Sequence, residues 1–366
     1  MPTQDPSLSL PAPTASAYPA ELPARFTTVA DEHQALVAGR GVTLGACPDR
    51  VELAGADRER FLNGLVTCDI RNLPPGEGRC GFFTDIKGRI LADVILLAME
   101  DRFLLELPAG SGERIVEHLE KYVIVDRVEI GRLAPVGRVR FLGPASGERL
   151  GELLESEPPA GAWAHSRVRW EGHEALVCAV SAEASGGAPE WVVTLEAEAA
   201  SDLFARWATV EATPAGELAD LRPVGRAALE SRRVECGRLL FGIDYGTDHF
   251  PQESGREEAV SYEKGCYLGQ EIVARIHYRG GVNRLPRGLL FDGDQPAAGA
   301  LLSLDRREVG RATTVAHSVA LDRSAGLALV HRRAAEAGTR LEIEGGGEAE
   351  VAELPLLRPG SQGQAG

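Results

Sequence analysis

The chain has 366 residues, 44% of them hydrophobic, enough for two or three domains with their own cores. Its formal net charge of -15 argues against a broad basic surface, and so against extensive direct binding to a nucleic-acid backbone. No apolar run is long enough to span a bilayer, the six cysteines form no close CxxC pair, and no basic region followed by an apolar core opens the sequence; the expectation is a cytoplasmic protein with reduced thiols.

Residues 1–24 are rich in Pro, Ser, Thr and Ala and read as a flexible leader. A first α+β unit is predicted over 25–132. It starts with a helix at 29–37 and a strand at 50–53. Gly55-Ala56-Asp57 then opens an amphipathic helix with Phe61, Leu62, Leu65 and Val66 on one side and Asp57 as its cap. Residues 80–85 and 90–97 read as a hairpin turned by Ile86-Lys87-Gly88-Arg89. Asp93 interrupts the second strand. A carboxylate there is costly unless exposed, paired or functional, and the sequence leaves open both an exposed face and a ligand-facing position. A strand at 103–107, a helix at 111–119 and strand-like pieces at 122–124 and 128–130 complete the unit.

A smaller α+β unit is predicted over 133–210, with strands at 139–141, 175–180 and 191–195 and helices at 146–154 and 199–208. Hairpins mixed with crossover helices give an α+β fold, not a doubly wound parallel sheet. Cys178 lies in an apolar strand and reads as an inert core thiol, as do Cys47, Cys68, Cys80 and Cys236. A return segment, 211–285, carries a helix at 225–234 and then a stretch, 241–260, with little periodicity. Connections that long are often mobile or functional. After Pro286, short strands at 287–291, 309–316, 326–331, 340–343 and 348–354 with glycine turns predict a small β-barrel over 286–358; 359–366 read as a loose tail.

The richest chemistry lies at Lys264-Gly265-Cys266-Tyr267-Leu268-Gly269-Gln270-Glu271 and in the run Arg275 to Arg284 that follows. Lys264 is one of only three lysines, the others being Lys87 and Lys121. Its charge, and the first amides of a helix opening at Gly269, are candidates to stabilise a Cys266 thiolate. Such a thiolate could attack an electrophile, form a persulfide or ligate a shared iron-sulfur centre. The bland alternative is a turn whose Cys and Tyr pack inward while Lys and Glu are solvated. A Cys266–His277 dyad is a further option. The chain has no phosphate-binding GxxxxGK[ST] loop and no HExxH zinc motif, so no resident metal is expected.

The stretch from Lys264 to Glu271 closely resembles the signature of the YgfZ-type folate-binding proteins, relatives of the glycine cleavage T protein, the aminomethyltransferase. Leu53-Ala54-Gly55-Ala56-Asp57, Phe61 to Ile70, Phe82 to Ile90, Arg233-Val234-Glu235-Cys236-Gly237, Val309 to Thr314 and Gly326 to Val330 resemble other parts of that superfamily, so the likeness spans roughly 28–355. It implies a three-domain arrangement around a central channel that accepts tetrahydrofolate or a derivative, with a C-terminal β-barrel. It implies a folate contact for Asp93, at a place where the aminomethyltransferases carry an Asp-Asp pair and this chain has Ala92-Asp93. Gln270 and Glu271, with Arg275, Arg279 and Arg284 at the rim, are its further candidates for folate binding, and Cys266 with Lys264 for the chemistry. The implied function is support of iron-sulfur enzymes or their cluster-assembly proteins, including a tRNA-modifying enzyme, with room for a transient iron-sulfur cluster. The alternative is a tetrahydrofolate-dependent aminomethyltransferase or demethylase.

Overall fold

The computed structural model describes residues 18–39, 41–208, 221–293 and 295–357. The predicted tail at 359–366 and most of the predicted leader lie outside them. The leader's described end is not loose. Leu22 is fully buried among Ala35, Leu36, Val224, Ala228 and Leu229, where the helix Val29–Ala38 meets the helix Arg226–Glu235.

Three sheets build the molecule. The first has five antiparallel strands in the order Gly78–Thr84, Ile90–Ala98, Arg102–Leu107, Asp49–Ala54, Glu129–Arg132. Its helices, Arg58–Asn63 and Gly112–Tyr122, cover one face, burying Phe61, Leu62, Ile115 and Leu119 against Phe83, Val94 and Leu105. Asp57 precedes the first helix, but its carboxylate does not cap it. It accepts instead from the backbone and side chain of Arg127, at 2.9 and 3.1 Å. The piece at 122–124 is not a strand, because the helix runs on through Tyr122.

The second sheet has six strands, Arg222–Pro223, Gly41–Leu44, Gly137–Leu142, Glu190–Leu195, His173–Ala179 and His165–Trp170, in that order. The unit expected at 133–210 therefore borrows one strand from before it and one from after it. Gly41–Leu44 pairs antiparallel with Gly137–Leu142, and Arg222–Pro223 joins its other edge in parallel. The third sheet is a closed barrel of six strands, in which Arg284–Asp292 pairs with both Arg323–His331 and Glu348–Ala352. The α+β class and the C-terminal barrel agree with the sequence reading.

The aperiodic connection at 241–260 is not a free loop. Buried Asp244 accepts from Arg233 at 2.7 Å, from the Leu240 amide at 2.8 Å, and from Thr313 and Thr314 of the barrel at 2.6 Å each. A carboxylate with that many donors offsets its desolvation and pins the connection between helix and barrel.

Candidate functional site

A cavity of about 520 Å³ opens where the units meet. The first sheet contributes Asp93, Ile95 and Glu106; the second Arg138, Arg140 and Glu190; the pinned connection Phe241 and Arg256, with Arg238 just before it; the barrel Arg287. Alternation along Ile90–Ala98 explains Asp93. Ala92, Val94 and Leu96 point into the core beneath the helices, while Asp93 and Ile95 face the cavity. Neither simple expectation for Asp93 describes it fully. Its side chain is only 16% exposed and its Oδ2 accepts from Tyr245 Oη at 2.6 Å and Arg256 Nη1 at 2.8 Å. Oδ1 is buried and has no partner among the described residues. Burial pushes the Asp93 carboxyl up from its ordinary range, and Arg256 and the Tyr245 hydroxyl oppose that shift.

Two further ion pairs stand in the wall, among apolar residues such as Leu107, Trp163 and Phe241. Arg138 pairs with Glu106, and Arg140 reaches Glu190 at 2.7 Å. Glu190 is buried, yet Arg140 and Arg238 hold its carboxyl below the usual range against desolvation. Tyr245, Arg256, Glu190 and Arg238 were not found from sequence. Three of them lie in or just before the aperiodic connection, and only Glu190, a carboxylate opening an apolar strand, leaves a local trace.

The signature segment lies elsewhere. None of residues 260–284 lines the cavity. The segment is folded down onto the first sheet: Leu268 donates to Gly64 O at 2.9 Å and accepts from Thr84 Oγ1 at 2.6 Å. Gly269 has φ +84°, and a Cβ there would lie 2.5 Å from Asp85 O, so glycine is required. Around Gly265 nothing lies within 4 Å of an added Cβ, so packing does not require a glycine there.

Lys264 does not serve Cys266. It is 4% exposed and its Nζ donates to Asn63 O at 2.7 Å, Asn63 Oδ1 at 3.1 Å, Val66 O at 2.8 Å and Cys68 O at 2.6 Å. It thereby satisfies carbonyls left open at the end of the helix Arg58–Asn63. Burial pushes its ammonium down to about 8. The helix Gln270–Arg275 does open at Gly269, but its Gln270, Ile272 and Val273 amides donate to Tyr267 O and Gly269 O. Lys264 and three of the four first amides of the helix are thus engaged elsewhere. Cys266 itself is exposed, as are Glu271, Arg275 and Arg279, and Gln270 is half-buried outside the cavity. Arg284 is buried and pairs with Glu253 at 3.1 Å. None of the three arginines expected at the rim lines the cavity, whose own arginines are Arg138, Arg140, Arg238, Arg256 and Arg287. His277 stacks on Tyr262 at 3.8 Å, an arrangement that leaves the proposed Cys266–His277 dyad without support. Of the thiols read as inert, Cys68, Cys80, Cys178 and Cys236 are pushed up by burial, Cys68 to about 12; Cys47 is exposed and lines the cavity.

The GCVT N-terminal domain model matches residues 9–264, and the glycine cleavage T-protein C-terminal barrel domain matches 286–357. The chain belongs to the glycine cleavage T-protein family. Relatives within it include an aminomethyltransferase of Geobacillus kaustophilus (strain HTA426), 27% identical over 347 residues that cover 92% of this chain and 93% of that one. Another is an aminomethyltransferase of Thermoanaerobacter pseudethanolicus, 24% identical over 88% of this chain and 86% of that one. The crystal structure of the glycine cleavage system aminomethyltransferase T from Bartonella henselae superposes with a TM-score of 0.76 at 21% identity, covering 90% of this chain and 89% of that one. The family fold thus extends over the cavity and the barrel alike. Residues 265–285, with Cys266, fall between the two matched ranges. No helix among the described residues is long and apolar enough to cross a membrane, and no three His, Cys, Asp or Glu side chains among them converge to hold a metal ion.

Proposed function

We propose that this member of the glycine cleavage T-protein family binds a reduced folate in the cavity and supports iron-sulfur enzymes through Cys266, as in the YgfZ-type branch. The observation that carries the folate reading is Asp93 Oδ1, buried on the cavity wall without a donor. A buried carboxylate oxygen left so is destabilising, and an N–H edge of a pterin ring supplies the missing donor. The volume lies within the range of small-molecule pockets, and Phe241 and Trp163 offer aromatic surface beside the charged groups. When bound, the folate supplies the one-carbon carrier. The chain's own residues hold and orient it: Asp93 accepts from the ring, while Arg256 and Tyr245 fix the carboxylate and Arg256 favours its ionised form.

The support reading draws on the position of Cys266. It is exposed, outside the cavity, with no converging set of metal-binding side chains among the described residues. An iron-sulfur cluster meeting this thiol takes its remaining ligands from another molecule, such as a client enzyme or an assembly protein. A client that modifies tRNA is compatible with the acidic net charge, since the client and not this chain holds the RNA.

A second reading is folate-dependent aminomethyl transfer or demethylation. The three relatives named above are aminomethyltransferases. The departure at Ala92 also weighs less than the sequence suggested. Ala92 faces the core on the sheet side away from the cavity, so it removes no carboxylate from the cavity wall. These observations favour transfer, whereas the exposed thiol in the stretch outside both family domains favours support.

The test has two arms. Calorimetry with 5-formyltetrahydrofolate should show binding to the wild type and about 30-fold weaker binding to Asp93→Asn, the loss expected when one charged hydrogen-bond partner is neutralised. Equal binding to both removes folate from this wall. A strain lacking the protein is then complemented with wild type or Cys266→Ala at matched levels. An iron-sulfur enzyme rescued only by wild type supports the first reading; formation of methylenetetrahydrofolate from an aminomethyl donor by both proteins supports the second.

A further inference from the structure

A second cavity, of about 100 Å³, lies behind the first. Arg140, Glu190 and Arg238 line both and so form a shared wall; Arg232 and Arg233 line only the smaller one. The four guanidiniums are not equally compensated. Arg140 has Glu190 at 2.7 Å, and Arg233 has Asp244 at 2.7 Å and Glu230 at 2.9 Å. Arg238 comes no nearer than 3.9 Å to Glu190, and Arg232 no nearer than 3.8 Å to Glu235. Both separations exceed hydrogen-bond reach. The two carboxylates approached are already committed. Glu190 is held by Arg140, and Glu235 accepts from Ser231 at 3.0 Å, Ser318 at 2.8 Å and the Ala320 amide at 3.1 Å, with His33 at 2.7 Å.

Two guanidiniums thus border one small chamber without donating a hydrogen bond to any described residue. Their side chains are partly exposed, 32% for Arg238 and 22% for Arg232, and a guanidinium is a planar fork matched to a carboxylate. The chamber has room for about three water volumes, which suits an anion of one or two carbons or the end of a longer one. Glu190 on the shared wall disfavours a dianion more than a monoanion.

We propose that the chamber bounded by Arg232 and Arg238 is a carboxylate-binding subsite adjoining the main cavity, filled by a small free carboxylate or by the carboxylate end of a ligand lying in that cavity. The subsite does not depend on the folate reading. The carboxylate forms hydrogen bonds to the two guanidiniums and leaves the Arg140–Glu190 and Arg233–Asp244 pairs intact.

The experiment is saturation-transfer NMR with acetate at constant ionic strength, on wild type, Arg238→Gln, Arg232→Gln and Arg238→Lys. Each glutamine variant should weaken acetate about tenfold, and Arg238→Lys, which keeps the charge and loses the fork, by less. Unchanged circular dichroism and thermal midpoints show that the variants fold, and Arg238→Lys keeps the test open if a glutamine variant does not. Acetate binding unaffected by either glutamine variant, no acetate binding to wild type, or a preference for inorganic phosphate over acetate overturns the proposal. Competition separates the two sources. Displacement of acetate by tetrahydrofolate but not by 6-methyltetrahydropterin, which has no carboxylate, shows a ligand's own carboxylate in the chamber; displacement by neither shows a free one. Asp93→Asn should leave acetate binding unchanged, so failure of the folate reading is distinguishable from failure of this one.

Discussion

The cavity and the signature segment are opposite cases of how a sequence advertises a site. The segment around Cys266 concentrates reactive residue types within eight positions, yet most of them anchor it: Lys264 to the helix end, Tyr267 inward, Leu268 to Thr84 and Gly64, Gly269 against Asp85. Cys266 is left exposed on an otherwise fastened strap. The cavity, by contrast, draws Asp93, Glu190, Arg238 and Arg256, with Tyr245 behind Asp93, from stretches that show no common motif, and concentrates its polar chemistry by tertiary folding alone. Crowding in sequence marked a place of structural precision; crowding in space marks the cavity proposed to take the ligand.

The comparison can be broken first on the cavity side, through the connection that carries Tyr245 and Arg256. His249 is 1% exposed, and its Nδ1 accepts from the Gly246 amide at 3.0 Å while its carbonyl accepts from Ile90. Burial and the charges of Arg284 and Arg89 push its imidazole down to about 3, from an ordinary 6.5. Between those values the unfolded chain binds a proton that the folded chain cannot. Stability contributed by neutral His249 is therefore full above about pH 6.5 and is lost as the pH falls toward 3. Urea unfolding should show the wild type losing on the order of 3 kcal/mol more than His249→Asn between about pH 7 and about pH 4.5. Parallel losses in both proteins show that this histidine does not set the acid limit of the cavity wall.

On the surface side the sharpest cut is Lys264→Met. It keeps most of the side-chain volume and removes the ammonium, leaving the carbonyls of Asn63, Val66 and Cys68 without that donor. The expected cost is about 3 kcal/mol by chemical denaturation, with folate affinity in the folded protein unchanged because none of these groups lines the cavity. A variant as stable as wild type that had lost Cys266 reactivity would instead restore the lysine to the chemical role read from the sequence.

Much of the fold was legible because it is written locally. Glycine-punctuated apolar runs gave the barrel, although its short strand Leu301–Leu304 passed unnoticed, and two apolar runs around a glycine-containing tetrapeptide gave the hairpin of Asp93. The six-stranded sheet was only partly legible, since its Gly41–Leu44 strand pairs with Gly137–Leu142 nearly a hundred residues later and Arg222–Pro223 is only two residues long. Asp93 stood out because a carboxylate in an apolar strand needs a reason. Its partners Tyr245 and Arg256 lie more than 150 residues on, in a stretch without periodicity. Lys264 was misassigned for the converse reason: two residues from Cys266 in sequence, its ammonium is directed to carbonyls some 200 residues earlier.

The smallest expected effect discriminates best between the two regions. Cys266→Ser changes one exposed atom, with Gly265 beside it in open space and the anchors on either side untouched. If the strap is fastened by Lys264, Tyr267 and Gly269, stability should move by less than about 0.5 kcal/mol. Folate affinity should also hold, because the thiol lies outside the cavity. Denaturant midpoints and calorimetric titration of the same preparation check both. Loss of iron-sulfur support in cells with both values preserved would then be chemical in origin, since neither the fold nor the folate site had changed. A large loss of stability would mean instead that Cys266 belongs to the strap's packing, and the division drawn here between anchor and thiol would fall.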